Sequence, residues 1–257
     1  MTMLSVKSVT KRFGGLVAND AISFDVAGGT IFAVIGPNGA GKTTLFNMIS
    51  GFFRPTEGTI HFDGQDITGR PQHAVSGGGL VRTYQLVQLF KDLTVAENVA
   101  AGFHRVTRGG VFAALVRPRW MRDQEAEIAR KTREILDFVG LGGRGDLAAD
   151  KLPYGQQRLL EVARALAAEP KLLLLDEPAA GLNTVETDAL ADVIERVNAR
   201  GITVLLVEHD MGLVMRVARR IVVIDFGRRI AEGTPAEIKV HPDVLAAYLG
   251  GTEAEHA

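Results

Sequence analysis

The chain contains no cysteine. That excludes disulfide staples and thiolate metal sites, and it fits a reducing compartment without requiring one. Neither sign of charge is in excess: 29 Lys and Arg stand against 30 Asp and Glu, a formal net charge of -1. No global positive field therefore exists to gather nucleic acid. Long apolar runs are also missing. Stretches such as residues 172–175 and 202–207 are strand-sized, well short of the roughly 20 residues a membrane-spanning helix needs. The opening MTMLSVKSVTK has no apolar stretch of signal-peptide length. The expectation is a chain that does not itself cross a membrane. No internal repeat or low-complexity block is found. What is present is ordinary globular material: 257 residues, 46% hydrophobic and 23% charged, enough for one large α/β domain or two small ones around a substantial core.

Short apolar runs bounded by glycine or charge alternate with longer helical patterns, the mark of an α/β protein with a mainly parallel sheet. Strands are expected at residues 4–9, 21–26, 31–35, 59–62, 172–175, 202–207 and 221–224. Between residues 94 and 169 helical periodicity dominates, with helices expected over 123–139 and 156–168. Asp225-Phe226-Gly227-Arg228 sits between two apolar runs and reads as a hairpin. The tail from Gly250 is small and polar and is expected to fray.

The strand at 31–35 runs into Gly36-Pro37-Asn38-Gly39-Ala40-Gly41-Lys42-Thr43, followed by Thr44 and an apolar helical pattern. This matches G-x-x-x-x-G-K-[ST] in full, with strand before and helix after. The chemistry requires those residue types. Glycines let main-chain N–H groups turn toward phosphate oxygens, and a helix N-terminus adds a favourable dipole. Lys42 would neutralise β- and γ-phosphate charge, and the Thr43 hydroxyl would coordinate Mg²⁺. By itself the loop does not separate ATPases from GTPases.

Two further strand ends carry polar groups. The run at 172–175 ends in Asp176-Glu177-Pro178, at the edge where a parallel sheet presents ligands. Asp176 suits the Mg²⁺ shell, and Glu177 suits polarising an attacking water. Two acids after a strand also serve as a solvated turn or helix cap; downstream of a complete phosphate loop, the chemical reading is the stronger. The second is His209, at the end of the run 202–207, where an imidazole would bridge the γ-phosphate and Glu177. A surface or satisfied core histidine is the plainer alternative.

Taken in order, the phosphate loop, Arg82-Thr83-Tyr84-Gln85, Leu152-Pro153-Tyr154-Gly155-Gln156-Gln157-Arg158, the Leu-Leu-Leu-Leu-Asp-Glu-Pro run and His209 resemble the ATP-binding subunits of ABC transporters over nearly the whole chain. The resemblance implies one P-loop ABC ATPase domain over residues 1–250. Such a domain has a RecA-like, mostly parallel sheet core, an antiparallel β subdomain and an inserted α-helical subdomain at about 94–169, with a polar tail at 251–257. It implies that Gln85 touches Mg²⁺ and the attacking water and senses the transmembrane partner. Phe13, in Lys11-Arg12-Phe13-Gly14, would stack on adenine, and Ala18 would make a weaker adenine contact. An amide in a surface loop and a core phenylalanine are the plainer readings of Gln85 and Phe13.

Leu152, Pro153, Tyr154, Gly155 and Gln156 resemble the family signature, which offers a helix N-terminus to the γ-phosphate of ATP on an opposing subunit. The usual form is Leu-Ser-Gly-Gly-Gln. Here Pro153 stands at the serine and Tyr154 at the first glycine. Proline has neither hydroxyl nor N–H, so the phosphate contact from that position is expected to be missing, while the helix dipole and the Gly155 N–H remain. Asn183 stands where the D-loop usually has aspartate, keeping hydrogen bonding and dropping a charge.

These departures, with Glu177-Pro178-Ala179-Ala180-Gly181-Leu182-Asn183 and the closing Ala247-Tyr248-Leu249-Gly250, resemble the LivG type of the branched-chain amino acid importer family. The resemblance implies ATP and Mg²⁺ as ligands, and a second ATP-binding subunit, identical or different, meeting this one head to tail. It also implies transmembrane permease subunits at the cytoplasmic face of the membrane, a substrate-binding protein acting indirectly, and no nucleic acid. If the second subunit carries the ordinary signature, the two sites are expected to be unequal, the stronger one built on this chain's own loop. An ABC exporter subunit and a soluble non-transport ABC ATPase are the rival readings. A P-loop kinase or GTPase is disfavoured, because nothing resembles a guanine-reading motif. The stretch Phe103 to Arg122 gathers Arg105, Arg108, Arg117, Arg119 and Arg122 with Phe103, Phe112 and Trp120. It reads either as a solvated insertion or as contact with lipid headgroups or the permease, with nucleic acid the weakest reading.

Overall fold

The computed structural model describes residues 1–105 and 119–250, which fall into two compact units. The first comprises Met1–Arg82, Lys171–Gly181 and Ile194–Ala257. Its larger sheet has six strands: β3 (Ile31–Ile35), β6 (Leu80–Arg82), β7 (Leu172–Asp176), β8 (Thr203–Val207), β9 (Arg220–Asp225) and β10 (Arg228–Gly233). Their order is β10-β9-β3-β8-β7-β6, and every pairing is parallel except that of β10 on β9. Each residue of β3, β7 and β8 is buried, which is why these strands read as unbroken apolar runs and not as alternation. β9 and β10 are joined through Phe226 and Gly227, at φ 43° and 75°. Positive φ at both central residues makes the tight turn that matches strand twist.

A second, antiparallel sheet has the order β2-β1-β4-β5, from β1 (Thr2–Phe13), β2 (Leu16–Ala27), β4 (Glu57–Phe62) and β5 (Gln65–Asp66). Inward residues Leu4, Val6, Ile22, Phe24 and Ile60 join Phe32, Phe46 and Leu174 in one apolar cluster. Helices α1 (Lys42–Ile49), α2 (Gln72–Gly77), α7 (Met211–Val217), α8 (Pro235–Lys239) and α9 (Pro242–Gly250) complete this unit. The expectation of a tail starting at Gly250 is corrected, since α9 includes that residue. Residues 251–257 lie outside those described.

The second unit comprises Thr83–Pro170 and Leu182–Val193. It holds α3 (Val95–Gly102), α4 (Arg119–Val139), α5 (Tyr154–Ala167) and the first turns of α6 (Thr184–Ala199). The helices expected over 123–139 and 156–168 are therefore found, each beginning a few residues earlier. α3 is short, and a capping box of Thr94 and Glu97 starts it. Phe103 is buried and so belongs to no exposed aromatic patch, whereas Arg122 is exposed. Arg105, Arg108, Phe112, Arg117, Arg119 and Trp120 fall outside the residues whose side chains are described. No helix among the described residues is long and apolar enough to cross a membrane.

Candidate functional site

The glycine-rich turn is shaped by what packs behind it. Gly36 follows β3 directly, and a Cβ there would lie 2.0 Å from the Ile224 carbonyl oxygen, so only glycine lets β9 run this close. Gly41 has φ 97°, and its Cβ would lie 2.4 Å from the Ala18 carbonyl oxygen. Gly41 is also the N-cap of α1, with no side-chain cap hydrogen bond. The helix N-terminus is thus presented as bare main-chain N–H groups, the arrangement that suits an anion. Ala40 is buried, Pro37 and Thr44 are half-buried, and Asn38, Gly39 and Thr43 are exposed.

Lys42 is buried, and its Nζ donates to the carbonyls of Gly36 at 2.8 Å and Pro37 at 2.9 Å. Burial lowers its pKa from the ordinary lysine value, opposed by the negative charges of Glu177 and Asp176. The turn, the lysine and the two acids therefore form one electrostatic site. Asp176 closes β7, and Arg82 Nη2 donates to its Oδ2 at 2.6 Å. The same guanidinium donates to Asn47 Oδ1 and Ser50 Oγ on and just after α1, each at 2.8 Å. Glu177 stands at φ 46°, a conformation that non-glycine residues seldom hold. Its N–H donates to the Val207 carbonyl at 2.9 Å, stitching the ends of β7 and β8 together. His209 Nδ1 lies 3.8 Å from Glu177 Oε2, with the imidazole 57% and the carboxylate 17% exposed.

Phe13 ends β1 and is 42% exposed, packed edge-on against Phe53 with ring centroids 5.4 Å apart. Ala18 meets the loop through its main chain: its carbonyl faces both Gly41 and Gly227. The β9–β10 turn is tied in as well, with Gly227 N–H donating to the Ala40 carbonyl at 3.0 Å.

The remaining expected residues lie on the second unit. Gln85 is exposed, and its carbonyl accepts from Arg158 Nη2. Arg158 Nη1 donates to the Tyr84 carbonyl and pairs with Glu161, each at 3.0 Å. Burial pushes the Glu161 carboxyl up from its ordinary range, opposed by the Gln88 N–H and Arg158. Leu152 is buried, Pro153 is the N-cap of α5 without a side-chain bond, and Tyr154 is exposed. A Cβ on Gly155 would lie 2.6 Å from the Glu186 carboxylate, and Gln156 Oε1 accepts from Arg144. Asn183 Oδ1 accepts from Glu186 N–H at 3.0 Å, and Glu186 Oε2 accepts from Asn183 N–H at 3.1 Å. Asn183 thereby forms a reciprocal cap at the start of α6. Sequence reasoning assigned no role to Arg82, Glu186 or Glu208. For Arg82 the only local signal was its place beside Gln85 in one motif.

The family model for ABC transporters matches residues 19–180, a span that holds the loop, Gln85, the signature segment and the acidic pair. The chain belongs to the ABC transporter family. A second model, for branched-chain amino acid ATP-binding cassette transporters, matches residues 228–254. This ABC transporter chain is 45% identical to the high-affinity branched-chain amino acid transport ATP-binding protein BraF of Pseudomonas aeruginosa, over 96% of this chain and 98% of BraF. It is 42% identical to the corresponding protein LivG of Escherichia coli, with the same coverage. Among solved structures it resembles the ADP conformation of an ATP-binding cassette of an ABC transporter. That match has a TM-score of 0.85 at 33% identity, over 97% of this chain and 99% of that one. As in that cassette, the fold is an α/β P-loop ATPase, and it implies nucleotide binding and ATP hydrolysis coupled to transport.

Proposed function

We propose that this chain is the ATP-hydrolysing subunit of a membrane importer for branched-chain amino acids, working as one cassette over residues 1–250 with an inserted helical lobe at about 94–169. The observation that carries the reading is the convergence of Lys42, Asp176 and Glu177 behind the Gly36–Thr43 turn. The names of BraF and LivG and the match over residues 228–254 support the substrate class.

In this reading Gly36 to Thr44 hold the triphosphate, Phe13 stacks on adenine, and Ala18 flanks it. Thr43, Asp176 and Gln85 supply oxygen donors of the kind that suits Mg²⁺; when bound, the ion offsets phosphate charge. Glu177 accepts a proton from the attacking water, and His209 orients the γ-phosphate end. Leu152 to Gln156 serve the ATP held by a second ATP-binding subunit, with Asn183 beside them. Permease subunits hold the assembly at the cytoplasmic face of the membrane, and a substrate-binding protein delivers cargo to them. Pro153 makes the two nucleotide sites unequal when the second subunit carries a serine there.

Calorimetry with Mg-ATP tests the reading. Lys42→Ala is expected to weaken binding by at least about tenfold, or about 1.4 kcal/mol. Glu177→Gln is expected to bind ATP normally while turnover falls by about 10²–10⁴-fold. Undiminished affinity in the first variant, or wild-type turnover in the second, would overturn it.

A further inference from the structure

Glu208 is fully buried, lies beside His209, and takes no part in the scheme above. Among the described residues the only basic side chain within ion-pair distance is His209, at 3.9 Å. A carboxylate taken out of water is costly unless hydrogen bonds replace its hydration, and here three main-chain donors do so. Oε1 accepts from Ala179 N–H at 2.7 Å. Oε2 accepts from the N–H groups of His209 at 2.9 Å and Asp210 at 3.2 Å.

Those donors come from the two segments that hold the proposed catalytic pair. After β7 the chain turns sharply at Glu177, whose left-handed backbone persists only if its surroundings hold it. Pro178 has no N–H to contribute. Past the Glu177 N–H, which is bound to Val207, the next donor of the turn is therefore Ala179, and Glu208 takes it. The other oxygen fastens the main chain at His209. One carboxylate thus clamps both sides of the 3.8 Å gap between His209 Nδ1 and Glu177 Oε2. Burial raises the pKa of this group, and the same three N–H bonds work against that rise by favouring the charged form.

We infer that Glu208 is a positioning residue for ATP hydrolysis, acting through Glu177 and His209 by fixing the spacing of the two loops that carry them. The inference rests on the roles proposed above for that pair. Glutamine at 208 would keep one acceptor and turn an NH₂ group onto main-chain N–H donors, so one loop is released. Aspartate would keep both oxygens on a stem one methylene shorter.

A double-mutant cycle on the full chain tests this, with Mg-ATP affinity and steady-state hydrolysis measured for wild type, Glu208→Gln, His209→Ala and the pair. Glu208→Gln is expected to lower kcat at least about tenfold while KM and ATP affinity stay within about twofold. In the His209→Ala background the same substitution is expected to cost less than about twofold, because what Glu208 fixes is the spacing between Glu177 and the imidazole, and that spacing has no second member once the imidazole is removed. Glu208→Asp is expected to recover part of the loss. Equal losses in both backgrounds would reduce Glu208 to a structural residue and overturn the inference. Wild-type turnover in His209→Ala alone would instead remove the site reading on which it rests. If Glu208→Gln fails to fold, Glu208→Asp carried through the same cycle decides by the same criterion.

Discussion

The guanidinium of Arg82 and the carboxylate of Asp176 meet at 2.6 Å with each side chain only 6% exposed. The acid at the end of β7 is thus held in place by a cation that also grips Asn47 and Ser50. Breaking such a pair from one side strands a buried charge, at about 3–5 kcal/mol. Arg82→Met is expected to lower the urea unfolding free energy by about that amount. Adding Asp176→Asn to it should cost less than the sum of the two single losses. A loss under about 1 kcal/mol in Arg82→Met would show that the pair does not hold the strand end.

Arg158 does comparable work within the second unit, holding the carbonyls of Tyr84 and Gln85 while paired to Glu161. Arg158→Met is expected to speed amide hydrogen exchange across residues 84–88 by at least about tenfold, with strand β7 unchanged. Unaltered exchange at Gln88, whose N–H is bound to Glu161, would contradict this.

Pro153→Ser would give α5 the side-chain cap it lacks, worth about 1 kcal/mol. The lost stiffness of proline in the unfolded chain takes back about 0.4–1 kcal/mol, so the urea midpoint is expected to stay near wild type. The gain should appear instead in assembly. On a Glu177→Gln background, one added phosphate hydrogen bond of about 1 kcal/mol should lower the ATP concentration for half-dimerisation about fivefold. Size-exclusion chromatography at graded ATP reads it, and an unchanged profile would remove the signature from the proposed role.

Two capping boxes predict an acid-side signature. Glu97 accepts from Thr94 N–H at 2.8 Å, and Glu237 from Thr234 N–H at 2.7 Å, and these bonds hold both carboxyls below the usual glutamate range. A depressed folded-state pKa adds stability above the unfolded pKa and loses it as pH falls through the folded one. The melting-temperature gap between wild type and Glu97→Ala, or Glu237→Ala, should therefore be open near pH 7 and close below about pH 4. A gap that widens in acid would reverse the assignment.

What could be read before the structure was local. The phosphate turn, the buried strands and the Phe226-Gly227 hairpin each carry their signal within a few residues. Helix α6 carries no assignment in the sequence reading, and the short α3 falls inside the stretch read as helical without bounds of its own, because eight residues held by one capping box offer little periodicity. Arg82 and Glu208 were illegible for a different reason. Their partners lie 94 and 29 positions away, and a glutamate beside a histidine reads as surface until strand register sets it against Ala179. Glu186 was hidden likewise, because its closeness to Gly155 depends on how α5 and α6 pack.

Strand β3 lies between β8 and β9, and Ala40 in the loop is bonded by Gly227. A ribosome therefore writes the nucleotide grip early and its supports last. A nascent fragment that stops short of Thr203 carries the glycines with neither flanking strand beside them. Such fragments should be unable to spend ATP, so the capacity to burn fuel arrives with the strands that flank the loop and not with the loop itself.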